Sequence, residues 1–115
     1  MEKVLIVDDE LPVRNLVRLT LETEGFEVEM AASGLEALDK LAANQPSVVV
    51  LDLSMPGMDG GAVFDSMRDR GIQTPVLFLS AYGAEEARRL HHAEGALAKP
   101  FDPGRLIEEV KRLAA

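Results

Sequence analysis

The sequence predicts an α/β fold, a five-stranded parallel sheet doubly wound by five helices. Three observations predict it. Short apolar runs, many of them rich in β-branched residues, recur as Val4-Leu5-Ile6-Val7, Val48-Val49-Val50-Leu51 and Val76-Leu77-Phe78-Leu79, and such runs read as strands buried on both faces of a parallel sheet. Between them the apolar period changes to that of an amphipathic helix. Runs along the chain also end in charged chemistry: Asp8-Asp9, Asp52, and Lys99-Pro100 after Ala96-Leu97-Ala98. Parallel sheets carry their sites at the carboxyl ends of the strands, so these charges are expected to converge.

Each element has its own signal. Residues 3–8 form the first strand. Residues 11–24 form a helix, with Pro12 in its first turn and Val13, Leu16, Val17, Thr20 and Leu21 on one face. Gly25 suits the position just past its end. Phe26, Val28 and Met30 alternate with Glu27 and Glu29, the pattern of a half-exposed edge strand. Ser33 with Glu36 makes a capping box for a helix running to about residue 43. Its inward residues are expected to be Leu35, Leu38, Leu41 and Ala42. Residues 47–52 form the third strand. A loop rich in chain breakers follows, Leu53 to Gly60, in which Asp59 is expected to cap the next helix over residues 61–70. Residues 76–80 form the fourth strand, 84–92 a short helix and 95–98 the fifth strand. Asp102 and Pro103 then start a last helix with Leu106, Ile107, Val110 and Leu113 on one stripe.

The 115 residues make one domain, 1–115, large enough to bury a core without staples. A net charge of −8, from 12 basic and 20 acidic residues, argues against nucleic-acid binding by this chain alone, because phosphate contacts need a basic face. The absence of cysteine removes disulfides and thiolate metal sites and fits a reducing compartment such as the cytoplasm. The sequence shows neither a signal peptide nor a membrane-spanning segment.

The strand-end residues suggest a chemistry. Asp8, Asp9 and Asp52 would repel one another if bare. Clustered carboxylates without histidine or cysteine suit a hard cation, Mg²⁺ or alternatively Mn²⁺, rather than zinc. Lys99 adds an ammonium that can pair with a phosphoryl oxygen. Ser80 adds a hydroxyl donor. A carboxylate can serve as nucleophile and form an acyl phosphate. Together these are the parts of a phosphoryl-transfer site, where catalysis is mostly positioning and charge neutralisation.

Val7-Asp8-Asp9-Glu10, Leu51-Asp52-Leu53-Ser54-Met55-Pro56-Gly57-Met58-Asp59-Gly60, Ser80-Ala81 and Lys99-Pro100-Phe101 together resemble a response-regulator receiver domain of bacterial two-component systems, of the chemotaxis-regulator kind. The resemblance covers the whole chain in order. It implies a flavodoxin-like (βα)5 fold with strand order 2-1-3-4-5. It implies a phosphorylation-dependent signalling switch rather than a metabolic enzyme, one that catalyses its own phosphotransfer and dephosphorylation. Asp52 would be the phosphoacceptor, and Ser80 and Lys99 would bind the phosphoryl oxygens. Asp9, Asp52 and the main-chain carbonyl of Ser54 would ligate Mg²⁺, with Asp8 acting through a metal-bound water. The Lys99–Pro100 bond would be cis. The implied partners are a sensor histidine kinase or histidine phosphotransfer protein, a downstream effector or an output domain missing from this chain, and a second copy in a homodimer. The start of the first helix, at Leu11 and Pro12, is the expected kinase contact.

Two departures stand out. Receivers often carry Tyr or Phe three positions before the lysine, where this chain has Ala96, so an aromatic switch there is absent. The stretch from Ser80 to Lys99 is also a few positions shorter than usual, which implies a remodelled output face. Ser54 and Tyr82 occupy the two positions that tune phosphoryl lifetime in the family; one is small and open to water, the other bulky. Among the remaining residues, Met55 and Met58 are expected to pack the loop. His91 and His92 are expected to be solvated, and Glu85-Glu86 with Arg88-Arg89 to lie on an exposed helix. Other functions compete. A degenerate receiver would act purely as an interaction module, supported by Ala96. A small Mg²⁺-dependent aspartyl phosphatase would commonly carry an acid where Ser54 stands. A nucleotide binder would need a glycine-rich loop where Asp8-Asp9-Glu10-Leu11-Pro12 stands.

Overall fold

The computed structural model of the chain describes residues 2–115. Five strands alternate with five helices: β1 Lys3–Val7, α1 Leu11–Thr23, β2 Glu27–Ala31, α2 Gly34–Ala43, β3 Val48–Asp52, α3 Gly60–Asp69, β4 Val76–Ser80, α4 Ala84–His91, β5 Gly95–Ala98 and α5 Pro103–Ala114. The strands form one sheet in the order β2-β1-β3-β4-β5, every neighbouring pair parallel. The strand order reverses at β1, whose two neighbours are β2 and β3. That reversal opens a crevice at the carboxyl ends of β1 and β3, where ligands bind in such sheets.

Alternation along the strands divides the core in two. Leu5, Val7, Val49, Leu51, Val76 and Phe78 face α2 and α3, meeting Leu38, Leu41, Val63, Phe64 and Met67. Val4, Ile6, Val48, Val50, Leu77 and Leu79 face α1 and α5, meeting Val17, Leu21, Leu106, Val110 and Leu113. The period of two sends successive residues to opposite faces. Both faces are covered, so β3 and β4 are buried throughout and read as unbroken apolar runs. Edge strand β2 keeps Glu27 exposed and buries only Ala31 fully.

The caps form as expected. Ser33 accepts from the N–H of Glu36 at 3.2 Å, and the Glu36 carboxylate reaches back to the N–H of Ala32. Asp59 accepts from Ala62 N–H at 2.9 Å, and Asp102 from Gly104 N–H at 3.4 Å. Met55 is buried in the core and Met58 packs against it. Arg88 on α4 pairs with Glu85 one turn earlier.

The structure corrects four packing expectations. Leu35 is 70% exposed and Ala42 also faces solvent, while Ala37 takes the inward place on α2. Leu16 on α1 is 51% exposed. His91 is not a solvated residue. Its ring packs edge-on against Phe64 and Phe78, with centroids 5.9 and 6.0 Å away, and its Nδ1 lies 3.0 Å from Asp65 Oδ1. It joins the end of α4 to α3, whereas His92 is exposed in a left-handed conformation. Among the described residues, no helix is long and apolar enough to cross a membrane.

Candidate functional site

The site lies where β1, β3, β4 and β5 end. Asp8 follows β1 directly, Asp52 is the last residue of β3, Ser80 is the last residue of β4, and Lys99 follows β5. Parallel register aligns these ends: Val7 pairs with Leu51, Asp52 with Leu79, and Ser80 with Ala98. Asp8, Asp52 and Ser80 are buried, each below a tenth exposed.

The Lys99 ammonium bridges the two buried acids. Its Nζ is 2.9 Å from Asp8 Oδ2 and 3.4 Å from Asp52 Oδ1. Asp8 is held further by the N–H of Glu10 on Oδ1 at 2.9 Å, and its carbonyl accepts from Arg14 at 2.7 Å. Asp52 Oδ1 also accepts the N–H of Ser54 at 3.2 Å. Lys99 N–H donates to the carbonyl of Ser80 at 2.9 Å, so its backbone continues the β4–β5 ladder past the strand end. The Lys99–Pro100 peptide bond is cis.

These neighbours set the protonation balance. Burial pushes the Asp52 carboxyl up from its ordinary value and the charge of Asp8 adds to that, while the Ser54 N–H and Lys99 oppose it. Burial works against the Lys99 ammonium, but its hydrogen bond to Asp8 and the charges of Asp8 and Asp52 outweigh this, so its pKa is raised. Lys99 therefore stays charged.

Asp9 and Glu10 stand exposed at the mouth of the site. Carboxylate oxygens of Asp8, Asp9 and Glu10 lie within 4.8 Å of one another. Acids outnumber cations here: Asp8, Asp9, Glu10 and Asp52 face Lys99 and Arg14. The donor set is all oxygen, which fits a hard divalent cation. The structure thus brings Asp8, Asp52 and Lys99 into contact, with Asp9 beside Asp8 and Ser54 against Asp52. The Ser80 hydroxyl contacts none of these side chains. Its hydroxyl donates to the carbonyl of Tyr82 at 2.7 Å and accepts that residue's N–H at 3.2 Å. Tyr82 itself is 90% exposed and shields nothing.

Sequence reasoning missed two contributors. Arg14 reaches back to the end of β1; its only signal was a basic residue one helical turn after the acids. Gly60 passes so close to the end of β3 that an added Cβ would lie 2.4 Å from the Asp52 carbonyl oxygen. No local pattern marks that contact. Beside Lys99, an apolar groove of about 360 Å³ is lined by Val13, Leu16, Ala81, Lys99, Pro100 and Phe101.

Comparison with known proteins agrees with this geometry. Residues 4–111 match the family model described as the response regulator receiver domain. The chain is 39% identical over 114 residues to the response regulator MprA of a Mycobacterium species, covering 96% of this chain and 50% of that protein. It is equally similar to the transcriptional regulatory protein SrrA of Staphylococcus aureus, covering 47% of it. The chain thus spans about half the length of the curated relatives it matches. Among solved structures it resembles the chemotaxis protein CheY4 of Vibrio cholerae, at 36% identity and a TM-score of 0.90 over 98% of both chains. Sheet order, strand-end acids and lysine, and these likenesses agree: the chain belongs to the response-regulator receiver domains of two-component systems.

Proposed function

We propose that this chain switches a signalling pathway by accepting a phosphoryl group on Asp52 from a phosphohistidine partner. The observation that carries the reading is the ammonium of Lys99 shared between the buried carboxylates of Asp8 and Asp52 at the switch point of the sheet. The contacts described on Asp52 fall on Oδ1, so Oδ2 is the oxygen available to attack. An Asp52 O–P bond forms as the donor's P–N bond breaks, and the imidazole leaves with the electron pair. Lys99 is 3.4 Å from Asp52 already and can pair with a phosphoryl oxygen after a small movement. The Ser80 hydroxyl can do the same by turning from Tyr82. A divalent cation, Mg²⁺ or Mn²⁺, held by Asp9, Asp52 and the Ser54 carbonyl with Asp8 through water, would offset charge on the transferred group. The same groups would support hydrolysis of the acyl phosphate, so the chain acts on itself rather than on a metabolite.

The apolar groove beside Lys99 opens next to the site, with the exposed Leu16 of α1 on one wall. It suits the helical surface of a histidine kinase or phosphotransfer protein bringing its phosphohistidine to Asp52. Such a partner places this chain in the cytoplasm, upstream of an effector or an output domain of a longer regulator.

The test is incubation with acetyl phosphate and Mg²⁺, followed by intact-mass measurement. The reading expects one acid-stable, base-labile phosphoryl adduct, absent from Asp52→Asn. A protein that stays unmodified is an interaction module instead, and turnover of phosphate esters marks a phosphatase.

A further inference from the structure

A cavity of about 250 Å³ opens between β4, α4 and β5, walled by Ser80, Ala84, Ala96 and Ala98 together with Glu85 and Glu86. It exists because the serine and the alanines are small. A hole of about 150 Å³ already admits a benzene ring. Beside it stands Tyr82, whose ring is 90% exposed. Its chain neighbours Ala81 and Gly83 both line the cavity. Gly83 sits at φ +73 with open space around it, a conformation that lets the loop turn. An exposed aromatic ring next to a mostly apolar hollow leaves two surfaces that gain by meeting.

Two hydrogen bonds between the Ser80 hydroxyl and the main chain of Tyr82 fix the loop that carries the ring. A serine hydroxyl has a single proton to donate. If it donates to a phosphoryl oxygen, it cannot donate to the Tyr82 carbonyl. We infer that Tyr82 is the aromatic switch of this chain: phosphorylation of Asp52 withdraws Ser80 from Tyr82, and the ring swings into the cavity beside Ala96. The inference rests on the phosphotransfer reading and adds the device that reports it. The moving ring belongs to the loop before α4, and the hollow that receives it lies between α4 and β5. Glu86, at the cavity rim, offers an acceptor for the phenol hydroxyl. The ring's burial is the differential interaction that shifts the population once the tether is released.

Tyr82 is the only tyrosine and the chain has no tryptophan, so tyrosine emission reports one residue. The experiment is acrylamide quenching of that emission with and without acetyl phosphate and Mg²⁺, with the modified fraction read by mass on the same sample. A group seated in a cleft loses about 70–90% of its accessible surface, so quenching should fall about threefold or more. Ala96→Phe fills the cavity and adds no competing emission. It should take up the phosphoryl group yet keep the quenching of the unmodified protein; Ala96→Leu gives the same readout with a smaller side chain. Unchanged quenching in fully modified wild-type protein overturns the inference, as does protection that survives in both variants. Absence of any mass gain is a separate failure, that of the phosphotransfer reading, and the switch falls with it.

Discussion

The ammonium of Lys99 lies 2.9 Å from a carboxylate oxygen of Asp8, a residue 91 positions away in the chain. Parallel pairing of β1, β3, β4 and β5 makes that contact, and it decides the electrostatics of the crevice. Without Lys99, the buried carboxylates of Asp8 and Asp52 would share a low-dielectric site with no cation between them.

Lys99→Met therefore destabilises the metal-free protein by about 3 kcal/mol, the cost of leaving a buried ionic partner uncompensated. Adding Asp8→Asn to the same chain recovers part of that loss, because the two residues are coupled. Urea unfolding of both single variants and the double variant measures the coupling. Strictly additive changes would show that the bridge has no energetic role.

Asp52 predicts a pH dependence of definite sign. Its folded pKa lies above the ordinary value of 3.8, through burial first and the Asp8 charge second. The folded state then binds its proton more tightly than the unfolded state. Stability of the metal-free protein falls as pH rises from the unfolded value through the folded one, and stays lower above. Asp52→Asn removes this penalty. It should raise stability at neutral pH on the order of 1 kcal/mol, roughly 4 °C in a small domain. Thermal melts in a chelating buffer between about pH 4 and 8 check this. A variant less stable than wild type across that range contradicts it.

A divalent cation should stabilise the fold by filling the acidic mouth. Free Mg²⁺ at about 100 times its Kd gives about 2.7 kcal/mol of added stability, and a chelator reverses it. Asp9→Asn should lose most of this gain while leaving metal-free stability nearly unchanged, because Asp9 is exposed. Melting curves with and without Mg²⁺ for both proteins decide the point.

Gly60→Ala tests how tightly the loop after Asp52 is packed. The added carbon would meet the Asp52 carbonyl oxygen at 2.4 Å and Leu53 Cα at 2.8 Å, both backbone atoms. Neither can step aside as a side-chain end could. The expected cost is about 1–3 kcal/mol, with slower phosphoryl uptake because Asp52 is displaced. Denaturant unfolding and the uptake rate are the two readouts.

Much of this was legible in the sequence, for local reasons. Ser33, Asp59 and Asp102 cap helices through bonds spanning two or three residues, so their spacing is enough. β3 and β4 announce themselves because both faces are covered. Helix faces were harder. Leu35 and Leu16 fall on apolar stripes yet face solvent, since a stripe's width depends on which neighbours reach it. His91 looked polar because its burial comes from Phe64 on α3 and Phe78 on β4, distant in sequence. In the site, Asp8, Asp52, Ser80 and Lys99 were all found at strand ends. The loop carbonyl that holds Ser80 was not, because a main-chain partner leaves no residue signature.

The proposed function rests on Asp52 carrying the phosphoryl group. Borohydride reduction converts an acyl phosphate to an alcohol and so marks its position permanently. Peptide mass mapping of phosphorylated, reduced protein should find homoserine at position 52 and aspartate at positions 8 and 9. Reduction at position 8 or 9, or an adduct that leaves position 52 unchanged, would contradict it.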